Sequence, residues 1–168
     1  MNSEYLFSVE EYDTAAELEQ GSVNCNSGAT AELKFSVAAQ ELGFYTYIPL
    51  CHATSVDIVI LKHSKTPITI QVKKGVYQKR DDCWKVTIGT QKPSCAVSSK
   101  DYGKRYRKYQ RGEFDVLAMW VKECDGFVLW TLDELVDMGI CTNRWRSGEK
   151  INNWEVLENF YEPKKTAK

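Results

Sequence analysis

The chain has 168 residues, of which 43% are hydrophobic and 27% charged, and its formal net charge is −1. This length suits one α/β domain, and the ordinary composition excludes a fibrous repeat and argues against disorder. No run of about eighteen apolar residues is present and the N-terminus lacks the features of a signal peptide, so we expect a cytoplasmic protein without a membrane partner.

Six cysteines are spread along the chain without a CxxC pair, and only two histidines are present. A zinc site or a disulfide framework is therefore not expected, and the chain has too few histidines for a nuclease of the HNH type. No P-loop, GxSxG or GxGxxG motif occurs either.

Charge is distributed unevenly. Residues 1–33 contain seven acidic residues and no Lys or Arg, so the remaining chain carries 22 basic residues against 16 acidic ones, a net charge of +6. Residues 73–111 alone contain twelve basic residues and three Asp, a net charge of +9. Such a block is typical of a phosphate-facing surface, although a lysine-rich solvated exterior would give the same composition.

The first half of the chain predicts helices followed by three strands. An acidic leader, residues 1–26, contains a short helix at Thr14–Glu19. Apolar residues at helical spacing predict a second helix over 31–42, with Gly43 as its C-cap. Three runs rich in β-branched and aromatic residues predict strands at Phe44–Ile48, Val56–Leu61 and Ile68–Lys73.

The second half predicts a mixture of strands and helices, and the whole order is that of an α/β protein with a mixed sheet. Residues 84–88 and 96–97 are expected to pair as a two-stranded ribbon, followed by a helix over 98–110. The remaining predicted elements are strands at 114–121 and 127–130, a helix at 132–138 capped by Thr131, and a last helix at 153–160.

The hairpin formed by the second and third strands carries the strongest chemical signal. If a five-residue loop, 62–66, closes the hairpin, Asp57 lies opposite Gln71, and all odd-numbered residues share one face. Asp57, Gln71 and Lys73 then converge at one end. A register slip of one residue would place Asp57 and Lys73 on opposite faces.

These residue types suit phosphodiester hydrolysis. Asp57 is a hard oxygen ligand for Mg²⁺, and Lys73 could orient or deprotonate an attacking water. Glu32, on the preceding helix, could reach the metal directly or through water. Each residue also has an ordinary structural role: Asp57 as a solvated turn residue, Lys73 as a strand end, and Glu32 as an exposed helix position.

Several segments together resemble the PD-(D/E)XK nuclease superfamily. They are Gly28-Ala-Thr-Ala-Glu32, Gly43-Phe44, Pro49, Val56-Asp57-Ile-Val-Ile60 and Ile70-Gln71-Val72-Lys73. The chain is similar to the small group, including a cyanobacterial group I intron homing endonuclease and phage relatives, in which the last motif is Gln-x-Lys. The likeness extends over about residues 28–135.

This resemblance implies an αβββαβ core with a mixed central sheet over residues 27–138, an acidic extension before it and a C-terminal extension, residues 139–168, after it. It assigns Glu32 as the acid on the helix, Asp57 as the metal-binding Asp, Gln71 as the variant position and Lys73 as the catalytic Lys. Mg²⁺, or Mn²⁺ in its place, would be held by Asp57, Glu32 and Gln71. The amide of Gln71 binds Mg²⁺ more weakly than a carboxylate.

The implied activity is that of a homing-type, site-specific DNA endonuclease in the cytoplasm of a bacterium or phage-infected host. Two alternatives stay open: a nuclease selective for branched DNA, such as a Holliday-junction resolvase, and a catalytically inert DNA-binding or inhibitor protein on the same fold. Because a double-strand cutter with one site per chain needs two chains at its target, we expect a homodimer or homotetramer.

Contacts with double-stranded DNA are predicted for the basic block. The ribbon at 84–97 is expected to enter the major groove, and a face with Lys104, Lys108 and Arg111 at helical spacing to follow the phosphates. A second contact is expected at 144–146, with a core position for Trp145 as the alternative. The predicted DNA-binding residues are Lys74, Lys79, Arg80, Lys85, Lys92, Lys104, Arg105 and Lys108.

Overall fold

The structure is a computed structural model and describes residues 14–50, 55–63, 65–91, 106–139 and 142–160. Its helices are α1 (Thr14–Glu41), α2 (Leu132–Asp137) and α3 (Glu155–Asn159). Its strands are β1 (Tyr45–Tyr47), β2 (Ile58–Leu61), β3 (Ile68–Lys74), β4 (Val76–Gln78), β5 (Cys83–Thr87), β6 (Thr90–Gln91), β7 (Tyr106–Arg107), β8 (Val116–Val121), β9 (Gly126–Thr131) and β10 (Thr142–Trp145). None of the helices in these ranges has the length and apolarity that crossing a membrane requires.

One helix of 28 residues, α1, replaces the two helices predicted from the sequence. The helix continues through Gly21 and Gly28, between the two predicted helices, because a glycine costs a helix only about 1 kcal/mol. The Thr30 hydroxyl donates to the Asn26 carbonyl one turn earlier. The predicted C-cap is confirmed. Gly43 has φ +83°, and the amides of Gly43 and Phe44 donate to Gln40 and Ala39, closing a Schellman motif.

The central sheet has five strands in the order β1-β2-β3-β8-β9. Only β3 and β8 run parallel; the other neighbours are antiparallel, so the mixed sheet of an α/β protein is confirmed. In the β2–β3 hairpin Ile58 pairs with Ile70 and Val59 with Thr69. This register continues to Asp57 opposite Gln71, as the loop length predicted.

A separate hydrophobic core lies against each face of the central sheet. Even-numbered residues of β2, β3 and β8 pack with Phe35 and Ala39 of α1 and with Leu157 of α3. Odd-numbered residues of β8, among them Leu117 and Met119, pack instead with residues of β5, β10 and α2. Because side chains alternate along a strand, Gln71 and Lys73 face this second side, away from α1.

The predicted ribbon pairs 84–88 with 96–97, and because residues 96–97 lie outside the described ranges this pairing stays a prediction. In the described part of the chain, β5 lies in the middle of a three-stranded sheet, with β10 on one side and β4 along Cys83–Lys85 on the other. Strand β10 follows β5 by more than fifty residues, and the sequence did not predict that the two strands pair.

The helix predicted over 98–110 is also wrong in its described part. Tyr106–Arg107 form β7, which pairs antiparallel with β6, and residues 108–110 are not helical. Backbone hydrogen bonds to Thr90–Gln91 hold these residues in a strand, although the spacing of their side chains is typical of a helix. Consequently Lys108 and Arg111 do not share a helical face. In the described part of the chain no helix stands between β3 and β8.

Asp115 joins the start of β8 to β3. Its carboxylate accepts hydrogen bonds from the Thr69 amide (2.8 Å) and hydroxyl (2.7 Å). Its own amide donates to the Thr69 carbonyl, and its carbonyl accepts from the Leu132 amide, at 2.9 and 2.8 Å. This half-buried residue therefore aligns the parallel pair with the start of α2.

We expect Asp115→Ala to lower the free energy of unfolding by about 1–3 kcal/mol, because the Thr69 amide and hydroxyl would lose their acceptor. Urea unfolding followed by circular dichroism measures this change. Asp137→Ala removes an exposed ion pair with Arg111 and should cost at most about 1 kcal/mol. Equal effects of the two substitutions would show that Asp115 does not hold this junction.

Candidate active site

Asp57 stands directly before β2, at the open end of the hairpin. Its amide donates to the Ile70 carbonyl at 2.9 Å, which fixes the backbone against β3. One carboxylate oxygen, Oδ2, accepts a hydrogen bond from the Val72 amide at 2.7 Å and a second one from the side-chain amide of Gln71. Two donors on one oxygen fix the orientation of the carboxylate.

Gln71 is 9% exposed and is one of the few buried polar residues in the described chain. Its Nε2 donates to Asp57 and, at 3.3 Å, to the Val72 carbonyl. Its Oε1 accepts from the Tyr109 hydroxyl at 3.4 Å, near the outer limit of a hydrogen bond. Both ends of the amide therefore have partners, as a buried amide requires.

Lys73 lies two residues beyond Gln71 on the same face of β3. Its Nζ donates to the Gly89 carbonyl at 2.7 Å and lies 5.1 Å from the centre of the Tyr109 ring. Burial lowers the pKa of Lys73, and the nearby Asp57 carboxylate opposes this shift. An ammonium held among a carboxylate, a carbonyl and an aromatic face is a pre-positioned charge.

Gly89 brings the acceptor of Lys73 into place. The residue is buried, and a side chain there would put its Cβ 2.5 Å from the Arg107 carbonyl oxygen. Backbones approach this closely only at glycine. Pairing of β6 with β7 therefore places the Gly89 carbonyl within hydrogen-bond distance of Lys73. The sequence did not predict this contact between distant parts of the chain.

Tyr109 completes the surroundings of Gln71 and Lys73. It is buried, and its ring lies edge-on to Phe114 with 4.8 Å between the ring centres. Burial raises the pKa of the Tyr109 hydroxyl, and the carboxylates of Asp57 and Glu113 raise it further, so the hydroxyl remains a donor. Tyr109 lies in the segment for which a helix over 98–110 was predicted, and no local sequence pattern marked its contacts with the site.

A second polar network braces the segment that leads to Asp57. The Ser55 hydroxyl donates to Glu113 at 3.0 Å, and both terminal nitrogens of Arg107 donate to the same carboxylate. The Arg107 guanidinium is the main cause of the lowered pKa of Glu113. The network ties residue 55, two positions before Asp57, to the segment that carries Tyr109.

Glu32 is half-buried on α1, and its neighbours Ala31 and Phe35 belong to the core on the opposite face of the sheet. The structure therefore brings together Asp57, Gln71 and Lys73, and the metal-binding role of Glu32 stays a prediction. Among the residues described, no group of three His, Cys, Asp or Glu side chains is arranged to hold a metal.

The donor set nevertheless fits a divalent cation of the magnesium type. Asp57 supplies a carboxylate and Gln71 an amide oxygen, both hard donors, and Mg²⁺ is commonly held by one or two carboxylates while it retains several waters. The residues that would hold such an ion are Asp57 and Gln71, with Glu32 as a further ligand directly or through water.

The predicted DNA-binding residues are scattered over the structure. Lys79 and Arg80 are exposed in the turn between β4 and β5, and Lys85 is half-buried on β5. Lys74 ends β3 on the face opposite to Lys73, and the Lys108 ammonium donates to the Gly139 carbonyl at 2.9 Å. Lys92, Lys104 and Arg105 lie outside the described ranges.

Of the three residues predicted at 144–146 to form a second DNA contact, one lies in the core and two lie on the surface. The Trp145 indole is buried against Trp84, with 5.1 Å between the ring centres, so Trp145 is a core residue. Arg144 and Arg146 on either side of it are exposed.

Comparisons with known proteins find likeness in structure and not in sequence. No protein-family model matches the chain, and no curated protein matches it either. Among solved structures, a bacterial homing endonuclease, I-Ssp6803I, matches with a TM-score of 0.64 at 16% sequence identity, over 77% of this chain and 89% of that one. The chain therefore shares the mixed α/β fold of that endonuclease.

Proposed function

We propose that this chain is a metal-dependent DNA endonuclease of the PD-(D/E)XK type, acting at specific sites as homing enzymes do. The proposal is supported above all by one observation: Asp57, Gln71 and Lys73 lie on one face of the β2–β3 hairpin, where Gln71 donates a hydrogen bond to Asp57 and the Lys73 ammonium interacts electrostatically with the Asp57 carboxylate. The fold shared with a homing endonuclease supports the same conclusion independently of the three side chains.

Each residue of the candidate site would have its own role in hydrolysis. Asp57, Gln71 and Glu32 would hold Mg²⁺ or Mn²⁺, which supplies positive charge to the scissile phosphate when bound. Lys73 would orient the attacking water and stabilise the negative charge that develops on the phosphate. Tyr109, through its contacts with Gln71 and Lys73, would keep both side chains in place.

Double-stranded DNA is the proposed partner, met by basic residues around the second face of the sheet. Each chain carries one set of Asp57, Gln71 and Lys73. Cutting both strands of a duplex therefore requires two chains, and we propose a homodimer or homotetramer.

One feature of the site favours the alternative function, that of a catalytically inert DNA-binding protein. Gln71 turns its amide nitrogen, not its oxygen, toward Asp57, so the carboxylate is already satisfied without a cation. Binding a metal through the Gln71 oxygen requires the amide to exchange its two ends. The energetic cost of losing that hydrogen bond would weaken metal binding.

The melting temperature measured with EDTA, Mg²⁺ or Mn²⁺ tests metal binding, and cleavage of supercoiled plasmid and of a four-way junction tests activity. We expect metal to stabilise the protein and to support cutting of the plasmid. Cutting confined to the junction would indicate a structure-selective nuclease. Neither stabilisation nor cleavage would favour the inert DNA-binding protein.

A further inference from the structure

The three-stranded sheet of β4, β5 and β10 has a core face and an outer face. Trp84, Val86 and Trp145 pack into the second core, so the residues between them point outward. We call the outward residues the basic sheet face. They are Lys85 and Thr87 on β5, Thr142 and Arg144 on β10, and Val76 and Gln78 on β4, while Cys83 on the same side of β5 is buried.

Positive charge is concentrated on and around this face. Lys85 and Arg144 are direct cross-strand partners, an arrangement that is unfavourable for two like charges in an isolated protein. Residues 76–87 and 142–146 together contain five basic residues and two acidic ones. Asp81 forms an ion pair with Lys85, and Arg144 and Arg146 also lie close enough to act on its carboxylate.

The basic sheet face is joined rigidly to the candidate active site. Residues 88 and 89 follow β5 directly, and the Gly89 carbonyl accepts the hydrogen bond from Lys73. The indoles on the inner face of the small sheet belong to the same core as Leu117 and Met119, on the side of the central sheet that carries Gln71. DNA bound along this face would therefore be held in a fixed position relative to Lys73.

We infer that the basic sheet face enters the major groove of duplex DNA, where Arg144 reads a base edge and Lys85 contacts phosphate. This inference rests on the proposed function and specifies which surface recognises the substrate. The B-form major groove, about 12 Å wide, admits a two-stranded β-ribbon, and arginine is the side chain most often used to recognise guanine. The deep, narrow major groove of A-form RNA would not admit it.

The inference is tested by binding in EDTA, which separates recognition from cleavage. Wild type, Arg144→Met and Lys85→Met are each used to select from a duplex pool of about 30 base pairs with a randomised centre. Arg144→Met should lose its preference at one base-pair position by about tenfold or more. Lys85→Met should weaken binding to all sequences and reduce the slope of log affinity against log salt by about one.

The matched control is Lys62→Met. Lys62 lies at the closed end of the β2–β3 hairpin, where it forms an ion pair with Glu158. This control should select the wild-type sequence. Because Arg144 is exposed, its variant should keep the melting temperature, which excludes misfolding as the cause of an altered preference.

An unchanged selected sequence for Arg144→Met, together with an unchanged salt slope for Lys85→Met, would overturn this inference alone. Equal binding of wild type to an A-form RNA duplex of the same length would also contradict it. Failure of the wild type to bind any duplex DNA would overturn the proposed function as well. Since binding is measured without metal, a catalytically inert protein would still reveal the recognition surface.

Discussion

Lys73→Met should slow metal-dependent DNA cleavage by at least about 100-fold. The ammonium of Lys73 is fixed between the Gly89 carbonyl and the Tyr109 ring, next to Asp57. Methionine can occupy a similar volume but cannot orient water or stabilise charge on a phosphate. Because burial already disfavours the charged form of Lys73, its replacement by an apolar side chain should lower the free energy of unfolding by no more than about 1–3 kcal/mol, the cost of leaving the Gly89 carbonyl without its donor.

Lys62→Met provides the control for this experiment. Lys62 lies on the same hairpin at its closed end, where its ion pair with Glu158 is solvent-exposed. This variant should cleave within about twofold of wild type, since exposed ion pairs contribute about 0–1 kcal/mol. A Lys73→Met protein that folds and cleaves as fast as Lys62→Met would exclude Lys73 from the chemistry.

Gln71→Glu should make the stability of the protein depend strongly on divalent metal. Without metal, a second carboxylate beside Asp57 removes the donor from Gln71 Nε2 and adds like-charge repulsion. We expect a lower melting temperature in EDTA, corresponding to about 1–3 kcal/mol for the lost hydrogen bonds. With Mg²⁺ or Mn²⁺ the paired carboxylates become better ligands than one carboxylate and an amide, so the metal-induced rise should exceed that of wild type.

Gln40→Glu is the matched control because Gln40 is exposed on α1, where its amide bonds only the Thr46 hydroxyl. Its melting temperature should respond to metal as wild type does. Differential scanning fluorimetry over a range of metal concentrations measures both variants. If Gln71→Glu gains no more stability from metal than Gln40→Glu, Gln71 does not contribute to a metal site.

The hairpin that holds the three residues was predictable because its determinants are local. A loop of five residues and the alternation of side chains fix the register, and a slip would bury Lys73 with the apolar residues of the other face. The ends of helices were predictable for the same reason. Gly43 adopts the positive φ expected of a C-cap, and Thr131 forms a capping box with Glu134.

The errors concern residues whose structure is decided by distant partners. Helical spacing of basic and aromatic residues favoured a helix up to Gln110, yet Arg107 is held in a strand by β6 and by its ion pairs with Glu113. Likewise, β5 pairs on one side with β10, which lies more than fifty residues further along the chain, and no nearby turn could reveal this pairing. Sequence periodicity gives the orientation of a side chain only after the element has been assigned correctly.

The candidate site was predictable in part. Asp57, Gln71 and Lys73 belong to two strands adjacent in sequence, so their meeting follows from the hairpin. The contributions of Gly89 and Tyr109 depend on the β6–β7 pairing and on the path of the chain after it. Neither residue carries a charge or motif that distinguishes it from the other glycines and tyrosines of the sequence.

Cleavage of a supercoiled plasmid that carries the duplex sequence selected by wild type, tested with wild type and with Asp57→Ala in Mg²⁺, Mn²⁺ or EDTA, is the most direct test of the proposed nuclease. We predict nicked or linear products with wild type and metal, and none with EDTA or with Asp57→Ala. A melting curve for Asp57→Ala confirms that the variant is folded under the assay conditions. Cleavage that survives the loss of Asp57, or that proceeds equally well in EDTA, would contradict a metal-dependent site at the β2–β3 hairpin.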